Sequence, residues 1–224
     1  MRNIDRILGS FLILLLLHSC KKEKEDDGSI RDFDGNTYTS VVIGTQTWMV
    51  ENLKTSHYKN GSEIPLVTNN TSWGNLSSPG YCWYDNNESS HKSTYGAMYN
   101  WYAVNTGNLC PTGWHVPKKE EWDVLATYLG GDNLAGGKLK ETGTTHWLSP
   151  NLGATNESGF TGLPGGQRDD SGTFLFLGMD GFWWTNTLSN TNWAYSRELD
   201  HDYSHFFSFN DMNKFGFSVR CIKD

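Results

Sequence analysis

The chain has 224 residues, a formal net charge of −7, and 10 Trp, 10 Tyr and 11 Phe. That length suits one domain plus a leader, and an acidic chain without a basic stripe is a poor partner for nucleic acid. Rings that bury roughly 150–250 Å² each suffice for an aromatic core, while 24 Gly point to short strands joined by many turns.

At the N-terminus, Arg2 and Arg6, offset by Asp5, precede an apolar run over residues 7–17. That run is too short to span a bilayer comfortably and reads as a signal sequence. Leu17-His18-Ser19-Cys20 resembles a lipobox, with His18 departing from the usual small or aliphatic residue. The resemblance implies cleavage before Cys20, acylation of its thiol by chains of the palmitate kind, and a membrane anchor. An ordinary secretory signal and an uncleaved anchor are the alternatives. Residues 21–28, Lys-Lys-Glu-Lys-Glu-Asp-Asp-Gly, cannot bury themselves and predict a solvated tether. Lysines followed by acids after the lipid cysteine resemble the surface-export signal of Bacteroidetes-type lipoproteins. The expected organisation is a signal peptide over 1–19, acylated Cys20 and tether over 20–30, and one domain over 31–224, at the outer membrane or cell surface.

Asp34-Gly35 between strand formers predicts a hairpin. Residues 38–43 and 46–50 are β-prone runs separated by Gly44-Thr45. Residues 55–79 read as a long polar loop, 80–84 as an aromatic strand, and 85–93 as loop again. Tyr95, Met98, Tyr99 and Tyr102 recur at helical spacing and predict a short buried helix, with an aromatic strand as the rival. The clearest helix follows Pro117, which suits a first helical turn. Glu120, Glu121 and Asp123 favour its N-terminal dipole, Trp122, Leu125, Ala126 and Leu129 make one apolar face, and Gly130-Gly131 stops it. A single helical turn is expected near Leu134. From Gly159 onward, runs at 159–163, 172–177, 181–187, 193–199, 203–209 and 215–222 predict an antiparallel sheet.

The motif series Tyr95-Gly-Ala-Met-Tyr-Asn-Trp-Tyr-Ala103, Cys110-Pro-Thr-Gly-Trp-His-Val-Pro117, Trp122, Thr155-Asn-Glu-Ser-Gly-Phe-Thr-Gly-Leu-Pro-Gly-Gly166, Gly181-Phe-Trp-Trp-Thr185 and Gly216-Phe-Ser-Val-Arg-Cys221 closely resembles the Fibrobacter succinogenes major paralogous domain. That family comprises secreted or lipoprotein domains of Fibrobacteres and Bacteroidetes, and it brings no established activity with it. Val116-Pro-Lys-Lys-Glu-Glu-Trp122 with the late Gly216-Phe-Ser-Val-Arg220 is similar, more distantly, to the sulfatase-modifying, formylglycine-generating enzyme fold. The likeness implies an α+β, C-type-lectin-like fold with antiparallel sheets, two main short helices, long loops and neighbouring termini. Fold does not fix function.

With Cys20 assigned to lipid, Cys82, Cys110 and Cys221 remain, and sequence alone leaves three pairings open. Outside the cytoplasm one bridge is expected. Cys110–Cys221 is favoured, since in a lectin-like fold it would clasp the C-terminus, and Cys82 is expected as a buried free thiol. The alternative is a copper- or thiol-dependent oxidase of the sulfatase-modifying kind, although no C-x-x-C motif is present.

Nucleophile-elbow, H-E-x-x-H, P-loop and dinucleotide motifs are absent, and no cofactor is expected. His201 and His205, four apart, are a weak metal signal against plain solvated residues. Asp85-Asn-Asn-Glu88 and Gln167-Arg-Asp-Asp170 carry calcium-friendly oxygens without EF-hand spacing, so turn chemistry is the expectation. Residues 155–159 read as a capped turn. Trp183 and Trp184 should face opposite sides of a strand. One would then reach a candidate ligand surface shared with Asn186, Arg168 and Arg197; core packing of both is the competing reading. The combined expectation is a lipid-anchored, non-catalytic module for an extracellular polysaccharide or protein. The alternatives are an enzyme of the sulfatase-modifying type and a structural envelope protein.

Overall fold

A computed structural model describes residues 29–224. The leader, Cys20 and the tether through Gly28 lie outside the described residues. The elements begin with strands β1 (Ile30–Arg31), β2 (Thr37–Tyr38), β3 (Ser40–Ile43) and β4 (Gln46–Met49), then helix α1 (Asn70–Gly74) and β5 (Tyr81–Cys82). Helix α2 (Glu88–Tyr95), β6 (Met98–Tyr99), α3 (Trp101–Val104), β7 (Trp114–His115), α4 (Lys119–Tyr128) and α5 (Asp132–Leu139) follow. The last part holds β8 (Gln167–Arg168), β9 (Phe174–Leu175), β10 (Asp180–Asn190), β11 (Trp193–Asp200), β12 (Phe206–Met212) and β13 (Ile222–Lys223). The fold is mixed α+β. Antiparallel β10-β11-β12 forms the largest sheet by length, and β3-β4-β13-β7 joins the first hairpins to the last strand. Three two-stranded ribbons and several isolated bridges make up the rest of the β structure described.

Helix α4 forms as its apolar spacing predicts. Trp122, Leu125 and Ala126 are buried. The Gly131 N–H donates to the Ala126 carbonyl at 2.8 Å and the Gly130 N–H to the Thr127 carbonyl at 3.1 Å. This 6→1 and 5→2 pair is a Schellman stop, entered through two positive-φ glycines. Pro117 does not enter the first turn: Lys118 is the N-cap, and the Pro117 carbonyl accepts from the Asn186 N–H. The Asp34-Gly35 and Gly44-Thr45 turns join β1 to β2 and β3 to β4 as expected. Ile30, expected in the tether, is already paired with Tyr38.

Several expectations are corrected. The loop at 55–79 contains α1, capped by Asn69 and anchored by buried Trp73. The polar stretch after Tyr84 is largely α2, whose N-cap Asn87 accepts from the Ser90 N–H. Residues 95–104 are not one helix. Gly96 breaks the run at φ 76°, at a point where a Cβ would stand 2.7 Å from the Leu53 carbonyl oxygen, and β6 and α3 follow separately. The single turn near Leu134 is the eight-residue α5. Residues 159–163 make a bridge to Lys140 rather than a strand, and 215–221 run mostly as irregular chain before β13.

Strand β10 lies between two apolar clusters. Phe182 and Trp184 join Tyr99, Trp101 and Phe217 on one side, whereas Trp183 joins Trp48, Trp122, Phe160 and Leu199 on the other, beneath α4 and α5. The Cys110–Cys221 disulfide is present, with its α-carbons 6.1 Å apart, and ties the loop before β7 to the residue before β13. Cys82 is free and buried, and burial pushes its thiol up to about 12.

The family-like motifs make scaffold contacts. The Asn100 side chain caps α3 and accepts from the Gly80 N–H, and Trp101 Nε1 donates to the Thr185 carbonyl. Asn52 Oδ1 accepts from Trp183 Nε1 at 2.8 Å and Arg220 Nη2 at 2.9 Å, while Asn52 Nδ2 donates to the Tyr95 carbonyl. Buried Arg220 also stacks 4.0 Å from the Phe160 centroid.

Candidate functional site: the half-open face of the three-stranded sheet

The five residues considered for a ligand surface do not form one. Trp183 and Trp184 do face opposite ways, but each meets its own cluster and both are fully buried. Trp184 Nε1 is spent on the Tyr99 carbonyl at 2.8 Å. Arg168 is sandwiched between the Trp73 and Phe174 rings and donates to the Val67, Thr68 and Gly172 carbonyls. Arg197 lies under α4 and α5, paired with Asp123 and with Asp132. Asn186 is only half-buried, and its backbone is committed to Pro117. The calcium-friendly stretches are occupied by turns: Asp169 Oδ1 accepts from the Ser171 and Thr173 N–H groups. Asn156 likewise closes its own turn on Thr161.

A different surface emerges from the sheet register. Directly paired residues share a face, so the pairings Asp180↔Asp200, Phe182↔Glu198↔Phe207, Trp184↔Ser196↔Phe209 and Ala194↔Asp211 define one side of the sheet. Cluster packing covers this side over β10 and leaves it progressively open toward edge strand β12. Phe207 is stacked on Phe209, with centroids 5.8 Å apart and planes 17° from parallel. Its ring also lies 5.7 Å from Tyr203 and 4.4 Å from His205. Tyr203 is 54 % exposed and Phe209 44 %.

Carboxylates border these rings. Burial pushes Glu198 up to about 8, reinforced by the charges of Asp180, Asp200 and Asp211. Burial and then Asp200 push Asp180 up to about 7, against the pull of His201. Asp211 is raised by burial and held back by a hydrogen bond from Ser196. The raised value favours the protonated carboxyl of Glu198, which can donate as well as accept. The turn after β11 is fixed. Lys140 Nζ donates to the Leu152, Asp200 and Tyr203 carbonyls at 2.9, 2.8 and 2.7 Å. Gly136 and Gly137 allow α5 to approach the carbonyls of residues 204–205 and 153, leaving no room for a Cβ.

His201 and His205 do not act as a pair. His205 Nδ1 bonds Asn133 Oδ1 at 3.0 Å, while His201 sits with Asp180 and Asp200. These carboxylates escaped the sequence reading because only cross-strand register brings them together. The available signal was Glu198 and Asp200 at alternate positions of one strand, which puts them on the same face.

The architecture is that of a disulfide-clasped α+β domain with an aromatic interior and one half-open sheet face. Residues 41–223 match the model of the Fibrobacter succinogenes major domain, and the chain belongs to that family. No curated protein and no solved structure matches it.

Proposed function

We propose that this is a lipid-anchored domain of the outer membrane or cell surface that binds an extracellular polysaccharide without catalysing a reaction. Its contact surface is the half-open face of β10-β11-β12. The observation that carries the reading is the ring row Tyr203, Phe207 and Phe209, bordered by Glu198 and Asp211. Ring faces offer flat apolar contact to sugar C–H groups, and carboxyl groups bond hydroxyls. The rigid sheet pre-organises both, which lowers the ordering cost of binding. In this reading the acyl anchor expected at Cys20 holds the domain at the membrane surface. The closeness of β4, β13 and the Cys110–Cys221 clasp supports a C-type-lectin-like architecture.

The oxidase alternative needs a reactive thiolate, and such thiols have depressed pKa values. Cys110 and Cys221 are bonded and buried, and the Cys82 thiol is shifted the opposite way. These observations favour a binding role. Incubation with panels of immobilised polysaccharides is the test. Retention on at least one glycan, with no turnover of it, is expected; retention on none across broad panels, or capture of a protein partner alone, contradicts the proposal.

A further inference from the structure

We infer that Asp180, Asp200 and His201 form a binding site for one divalent transition-metal ion of the Mn²⁺ or Zn²⁺ type. One carboxylate oxygen from each aspartate and one imidazole nitrogen lie within 4.8 Å of one another. Asp180 and Asp200 are direct cross-strand partners, so their carboxyl groups stand side by side on one face, where a cation would be shared between them.

The histidine supplies the second observation. His201 Nδ1 is buried and makes no hydrogen bond, although it lies only 3.2 Å from Asp200 Oδ1. Close approach without hydrogen-bond direction is what two ligands of one cation show. Donors about 2.1 Å from a metal, at tetrahedral or octahedral angles, are about 3.0–3.4 Å apart. The other ring nitrogen, Nε2, is 3.5 Å from Asp202 Oδ2. A carboxylate near the far nitrogen is the usual neighbour of a metal-bound imidazole.

The backbone holds this geometry. The His201 N–H donates to the Met179 carbonyl at 3.0 Å, its own carbonyl accepts from Leu152 at 2.7 Å, and Lys140 grips the turn from below. A bound ion would draw the three ligand atoms in from their present span of up to 4.8 Å. One nitrogen and two oxygens suit Mn²⁺ or Zn²⁺ better than calcium, which takes oxygen ligands. The site lies beside the ring row and stands whether or not that row binds a glycan.

The test is calorimetric titration of the chelator-stripped full-length chain with Mn²⁺, with Zn²⁺ and Ca²⁺ in parallel. One Mn²⁺ or Zn²⁺ per chain is expected, with affinity at least about tenfold weaker in Asp180→Asn, Asp200→Asn and His201→Gln, and unchanged in His205→Gln. Absence of Mn²⁺ and Zn²⁺ binding, preference for Ca²⁺, or equal binding by all variants overturns the inference. Should the variants unfold, Mn²⁺ broadening of histidine ring signals in the unsubstituted protein decides. Broadening centred on His201 supports the site, and broadening elsewhere or none refutes it.

Discussion

Replacing Cys110 and Cys221 together by alanine should remove a large share of the domain's stability. The bridge closes a loop with a sequence separation of 111 residues. In the chain-entropy model a loop of that length stabilises by about 5 kcal/mol, against about 5–15 kcal/mol for a whole domain. Both sulfurs are buried, so alanine is the suitable replacement; serine would add buried hydroxyls needing partners. Guanidinium unfolding followed by tryptophan fluorescence reads the effect. We expect a loss of about 3–5 kcal/mol, with the midpoint moving accordingly, and a matching loss when the native protein is reduced. A loss below about 1 kcal/mol would refute the idea that this clasp holds β7 and β13 together.

Stability should fall as pH rises from about 4.5 to 8. Glu198 and Asp180 have raised pKa values, about 8 and about 7, so the folded state binds more protons than the unfolded state across that window. After allowance for partial solvent exposure the fall is about 1–3 kcal/mol; Glu198→Gln should flatten it, and denaturation midpoints measured across pH show whether it does. Gly136→Ala should destabilise by about 1–3 kcal/mol, although helix propensity alone favours alanine, because the new Cβ would stand 2.6 Å from the Ser204 carbonyl oxygen; thermal melts give the sign. Lys140→Met strips three part-buried carbonyls of their donor and should cost about 1–3 kcal/mol, with faster hydrogen exchange at residues 200–204.

Helix α4 was readable because its apolar spacing, N-terminal acids and terminal glycines all point the same way. The 95–104 segment was not, because its aromatics suit both periods and a tertiary contact at Gly96 decides where the chain turns. Helix α2 has no buried residue, so it leaves no apolar stripe to find; only Asn87 marks its start. Strands of two residues, such as β5 and β8, are too short to show alternation. The alternation of Trp183 and Trp184 was legible, but their joint burial depends on both faces of β10 being covered. Motifs that carried the resemblance turned out to build the interior. The candidate site at Asp180, Glu198, Asp200 and Phe207 lies outside them, assembled by register that a linear reading does not supply.

The most direct measurement compares polysaccharide affinity of the unsubstituted protein with that of Tyr203→Ala/Phe209→Ala. Both rings are exposed enough for the fold to tolerate their loss. Each stacking ring contributes about 0.5–1.5 kcal/mol, so the double variant should bind about tenfold more weakly, with an unchanged melting temperature. Undiminished affinity in that variant would contradict a glycan-binding role for this sheet face.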